Sequence, residues 1–137
     1  MKFLFLILTT FIYFFINAQP TINLSGTKWS LIKITNLTTN QSKSADAICG
    51  TTLHFDNKEQ YSGFTGWNNY SGKYTITGEN RLVMYNAVQT LMAGPSNCEF
   101  GETICGQFQN IKTFLIKADT LMLFTSDSNK ITYKKIK

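Results

Sequence analysis

The chain has 137 residues with 13 basic and 8 acidic side chains, a net charge of +5, and 43% hydrophobic residues, 14% of the chain being aromatic. That length admits one modest core and excludes two, and so mild a positive excess, spread along the chain, gives no phosphate-tracking stretch. Three cysteines and one histidine leave little for a zinc site, because His54 lies far along the sequence from Cys98 and Cys105.

The N-terminus has the order of a secretory signal: Lys2, the apolar or hydroxylated run from Phe3 to Ile16, then Asn17, Ala18 and Gln19. A membrane anchor is the alternative, but a spanning helix needs about 20 apolar residues and this run is shorter. No cysteine follows it to carry a lipid. Residues 1–18 are therefore expected to be cleaved, with a single domain over residues 19–137, exported to the periplasm or the medium. It is expected to be a monomer with no further membrane-spanning segment.

Beyond that point short apolar runs, often of period two, are broken by Gly, Asn, Asp and Ser, the pattern of antiparallel strands. Strands are predicted near Lys28 to Ile34, Thr51 to Phe55, Gln60 to Phe64, Gly72 to Thr77, Leu82 to Asn86, Thr113 to Ile116, Thr120 to Phe124 and Lys130 to Tyr133. The segment from Asn36 to Asp46, rich in Thr, Asn, Ser and Lys, reads as an exposed, mobile loop. Asp56-Asn57-Lys58 and Thr77-Gly78-Glu79-Asn80 read as turns that tolerate a left-handed backbone, and Ala118-Asp119 as a tight hairpin. His54 sits between Leu53 and Phe55, so it points away from the face they share; it is expected to be a surface histidine with no chemical role.

One segment departs from period two. Between Pro95 and Asn110, Phe100, Ile104, Phe108 and Ile111 recur at helical spacing behind Ser96 or Asn97 as a cap. A helix here would cover the apolar face of a strongly twisted sheet of about eight strands, which tends to curl or close. The predicted fold is mainly β, an α+β arrangement in which a curved antiparallel sheet or open β-barrel carries one helix packed on it or plugging it. The tail lysines Lys134, Lys135 and Lys137 read as a solvated chain end, and the Asn-x-Ser/Thr matches at Asn23, Asn36, Asn40 and Asn69 as chance in an Asn-rich chain.

Several segments, taken in order, resemble the META domain of HslJ-type bacterial heat-shock and envelope proteins. Leu24-Ser25-Gly26-Thr27-Lys28-Trp29-Ser30-Leu31 is similar to that family's opening L-x-G-T-x-W-x-L strand. Gly66-Trp67-Asn68-Asn69-Tyr70-Ser71-Gly72-Lys73-Tyr74 is similar to its G-C-N-x-x-x-G-x-Y turn, and Thr90-Leu91-Met92-Ala93-Gly94 to its T-x-M-A-C. The run from Phe114 to Leu123 resembles its closing hairpin. Trp67 and Gly94 stand where the family often has cysteine, so a thiol pair that those turns could hold is replaced on both sides. The resemblance implies an envelope-stress or binding role and no agreed catalytic centre.

Three pairings of Cys49, Cys98 and Cys105 are possible in an exported chain. The first choice joins Cys49 to Cys98, because the hairpin from Thr51 to Phe64 brings Cys49 beside Gly66 and the resemblance puts Gly94, four residues before Cys98, opposite Trp67. The candidate binding surface is Trp67, Asn68, Asn69 and Tyr70, with a shaped turn as the competing reading. The expected function is a non-enzymatic binding or envelope-stress module, with no cofactor, no metal and no nucleic acid, whose partner is an unknown protein or a small apolar ligand. The alternative is a carrier holding such a ligand inside an open barrel lined by Trp29, Phe55, Tyr74, Phe114 and Met122. A hydrolase ranks last, since a lone His54 has no recognisable nucleophile motif beside it.

Overall fold

The computed structural model describes residues 23–45, 49–94 and 99–137. The leader, Asp46, the proposed caps Ser96 and Asn97, and Cys98 lie outside the described residues. Nine strands form one antiparallel sheet: β1 (Thr27–Asn36), β2 (Ser42–Ser44), β3 (Thr52–Phe55), β4 (Gln60–Phe64), β5 (Asn69–Thr77), β6 (Arg81–Gln89), β7 (Ile111–Lys117), β8 (Thr120–Thr125) and β9 (Asn129–Lys135). Helix α1 (Glu99–Gln107) and a 3-10 turn (Phe108–Asn110) connect β6 to β7.

The eight strands other than β2 follow one another around a closed barrel, and β1 completes it by pairing with β3 on one edge and β9 on the other. Every predicted strand is present. Alternation explains them: along β8, Leu121, Leu123 and Thr125 face inward while Thr120, Met122 and Phe124 face outward. The long β1 pairs with β9 along most of its length, with a bulge between Leu31 and Lys33 that switches which parity faces the core. At the other side, β6 and β7 meet where Arg81 lies opposite Thr113, and farther along β6 the 3-10 turn becomes its neighbour.

The loop expected to be mobile contains β2, which pairs with β1 from Lys33 opposite Ser44 to Thr35 opposite Ser42. Asn36 Oδ1 accepts hydrogen bonds from the amides of Thr38 and Thr39, each at 2.9 Å, and so shapes the turn into it. All three β2 residues are exposed, so no apolar alternation marked this strand. The helix is shorter than its periodicity predicted: Ile104 and Phe108 are buried, but the chain passes through the 3-10 turn and Ile111 opens β7 instead.

Glycine and tyrosine trade places across β4 and β5. Tyr61 lies opposite Gly72, and Gly63 lies opposite Tyr70. Each ring lies across the glycine it faces, so a Cβ at Gly72 would collide with the Tyr61 ring and one at Gly63 with the Tyr70 ring. Both rings then pack on Phe108 at centroid distances of 5.3 and 5.1 Å, which anchors the helical connection to the sheet.

Candidate functional site at the Trp67 end of the barrel

Three segments converge at one end of the barrel: Cys49 and Gly50, the turn from Thr65 to Asn69, and the stretch from Val88 to Gly94 that ends β6 and runs on beyond it. Thr65, fully buried, starts the turn; its Oγ1 accepts from the amides of Asn68 at 2.9 Å and Trp67 at 3.3 Å, and its carbonyl accepts from Thr51 Oγ1 at 3.0 Å. Gly66 adopts φ 102 and its backbone runs against Cys49. A Cβ there would sit 2.6 Å from that of Cys49, so any side chain at this position is excluded by space as well as by backbone.

Asn68 is the organising side chain. It is buried, and its Oδ1 accepts from the Met92 amide and from Thr90 Oγ1, both at 2.9 Å, while its Nδ2 donates to the Met92 carbonyl at 3.1 Å. The carboxamide thus takes both main-chain groups of Met92, as a paired strand would. Thr90 adds reciprocal bonds: its amide donates to the Asn69 carbonyl at 3.0 Å and its Oγ1 accepts from the Asn69 amide at 3.1 Å. Beyond them Gly94 lies against the Trp67 indole, where a Cβ would come within 2.7 Å of Cδ1.

This pinning holds apolar side chains out in water. Leu91 is 93% exposed, Val88 63% and Met92 58%, beside Trp67 at 38%. A cleft of about 340 Å³ borders Val88, lined also by Asn69, Ser71 and Thr90. Of the four residues expected to form a binding surface, Trp67 and Asn69 reach solvent, whereas Asn68 and Tyr70 face inward. Tyr70 donates its hydroxyl to the Thr52 carbonyl. The residues that sequence reasoning missed are Val88, Leu91 and Met92. An apolar Leu-Met-Ala run just before Gly94, at the end of a strand, is the signal that marks them.

The remaining candidates fall elsewhere. Cys49 is buried and Cys105 lies on the helix; Cys98, the proposed partner of Cys49, lies outside the described residues. His54 is half-buried on the outer face between Lys28 and Ser62, in a groove of about 390 Å³. Of the residues expected to line a ligand cavity, Trp29, Phe55, Tyr74 and Phe114 are buried in the common core, with Phe55 and Tyr74 edge to face at 4.9 Å. Met122 corrects that list: it faces outward between Leu115 and Thr132, because inward positions on β8 are the odd-numbered ones. Among the described residues no cluster of His, Cys, Asp and Glu could hold a metal ion, and no helix is long and apolar enough to cross a membrane.

The fold and this end of it define a small closed antiparallel barrel with a helical insertion between β6 and β7. The family model for the META domain matches residues 22–137, and the chain belongs to that family. Among solved structures it is similar to a protein from Burkholderia xenovorans determined by NMR, at 17% identity over 82% of this chain and 83% of that one, with a TM-score of 0.69. It is also similar to a DUF4847 family protein from Bacteroides vulgatus, at 12% identity over 82% and 94% of the two chains, with a TM-score of 0.61. At these identities the likeness is one of fold. No curated protein matches the chain.

Proposed function

We propose that this META-domain protein is an exported, non-enzymatic binding module of the cell envelope that contacts a protein partner through the Trp67 end of its barrel. The observation that carries the reading is the exposed apolar set of Val88, on β6, and Leu91 and Met92, whose segment the buried Asn68 carboxamide holds through Thr90 and the Met92 main chain. Apolar side chains held rigidly in water lose little entropy on binding, and an aromatic beside them suits the centre of an interface. Export is supported by the basic, apolar and small-residue order of the N-terminus. A Cys49 to Cys98 disulfide, formed by a thiol oxidant of that compartment, would tie down the connection that follows this surface. It is supported by the burial of Cys49 beside Gly66.

The test is capture from envelope extract with wild-type protein and with Val88→Ser/Leu91→Ser as baits. A partner retained by the first and lost by the second, with both baits equally stable, is the expected result; identical captures would sink the assignment of this surface. The carrier reading is weaker, because all four rings assigned to a lining are packed in the core and Met122 faces outward.

A further inference from the structure

The lysines are dispersed in the sequence, but the strand register gathers them. On β7, β8, β9 and β1 the residues that face outward fall into rows that run across the barrel. Leu115, Met122, Thr132 and Lys33 form one row. Thr113, Phe124, Lys130 and Thr35 form the next, with Arg81 opposite Thr113. On the other side of the first row, Lys117 and Lys134 flank Thr120.

The result is a cationic face around an apolar strip of Leu115, Met122 and Phe124, of which Leu115 is 44% exposed. No described strand carries an aspartate or glutamate; Asp119 and Asp127 sit in the turns at opposite ends of β8, and Glu79 in the turn before Arg81. Nothing on the sheet therefore neutralises the repulsion among these cations, and an anionic surface laid against them would.

We propose that this face, centred on β8, docks on a bilayer surface that carries anionic phospholipid. On a closed barrel only neighbouring strands face the same way, and β7, β8 and β9 together present about 10 Å of surface that carries Lys117, Lys130 and Lys134, with Lys33 and Arg81 on its flanks. The three central cations are lysine, a flexible point charge suited to diffuse headgroup charge, whose stem lies along apolar surface while the ammonium reaches the phosphate layer. The strip of Leu115, Met122 and Phe124 then meets the boundary between headgroups and acyl chains. A specific protein interface has another composition: its centre is depleted in lysine and anchored by aromatics in pockets. This inference is independent of the Trp67 end, which belongs to a different part of the barrel surface.

The experiment is co-sedimentation of the exported protein with vesicles of phosphatidylcholine alone and of phosphatidylcholine with about one-third phosphatidylglycerol. Binding is expected to the mixed vesicles, to be released by salt, and to be absent from the neutral ones. With each cation near the surface contributing about 1 kcal/mol, Lys117→Gln/Lys130→Gln/Lys134→Gln should weaken partition by roughly 100-fold, and the exposed Lys134→Gln alone by about fivefold. Leu91→Ser, in the other surface, should leave it unchanged. All variants share the same N-terminus, so any contribution from the apolar leader cancels, and thermal melting checks that each is folded. Equal partition into both vesicles, wild-type binding by the triple variant, or a dimer in sedimentation velocity that the triple variant abolishes would each overturn the proposal.

Discussion

Because Asn68 bonds both the amide and the carbonyl of Met92, its replacements separate shape from hydrogen bonding. Asn68→Ala should lower stability by about 2–3 kcal/mol in denaturant titration, the loss expected for several buried bonds. Asn68→Asp should cost more, since it sets a buried carboxylate against the Met92 carbonyl; an aspartate variant as stable as wild type would show that the bond from Nδ2 contributes nothing. Gly94→Ala makes a complementary test, because a methyl there must displace the Trp67 ring. Its emission should shift towards that of a fully hydrated indole, and Trp67→Phe supplies the background from buried Trp29. The two asparagines were legible in the sequence as turn residues, but only through local bonding. The bonds of Asn68 reach 24 residues along the chain, and no local pattern announces a partner at that distance.

At the level of elements, the paired exchange of tyrosine and glycine on β4 and β5 is more demanding than the hairpin it belongs to. Gly63→Ala and Gly72→Ala should each cost at least 2 kcal/mol by denaturant titration, as overpacking does where a ring cannot retreat; a neutral result would mean that the rings have room to move. Ala118, by contrast, holds φ 51 in the two-residue turn between β7 and β8. Ala118→Gly should therefore raise stability by up to about 1 kcal/mol, in so far as relief of the left-handed strain exceeds the added freedom of the unfolded chain. The strands were readable because one barrel face is apolar and the other polar, which leaves a period of two. Strand β2 was not, since all its side chains are exposed and leave no apolar alternation to read. The helix was found but overextended, because Ile111 continues the helical spacing while facing the same core from a strand.

For the whole molecule, pH offers a direct measurement. Burial raises the phenols of Tyr61, Tyr70 and Tyr133 above their ordinary value of 10.0, with Cys105 adding to each shift. A raised pKa means that the folded state holds these protons after the unfolded chain has released them. Stability is thus fully present below about pH 10 and falls as pH rises beyond it. Tyrosinate absorbance and circular dichroism should change together in alkaline titration; ionisation of all tyrosines ahead of unfolding would contradict the burial argument. The proposed disulfide is tested by peptide mapping without reductant, where a Cys49 to Cys98 link is expected and a Cys98 to Cys105 link would refute it. Closure of the barrel was only half legible, since an open sheet was equally compatible with the strand pattern. What decides it is the pairing of β1 with β9, a contact between strands from opposite ends of the domain.

That seam also dictates when the protein can exist during synthesis. Residues 27–36 wait as an unpartnered edge until residues 129–135 have been made, so nothing emerging from a ribosome before then can shut the barrel. Ile131 and Tyr133, both fully buried, arrive with the same strand and complete the core at the same moment. The nascent chain is obliged to stay unlocked through most of its translation, which is the condition a polypeptide must be in to be threaded through a narrow channel.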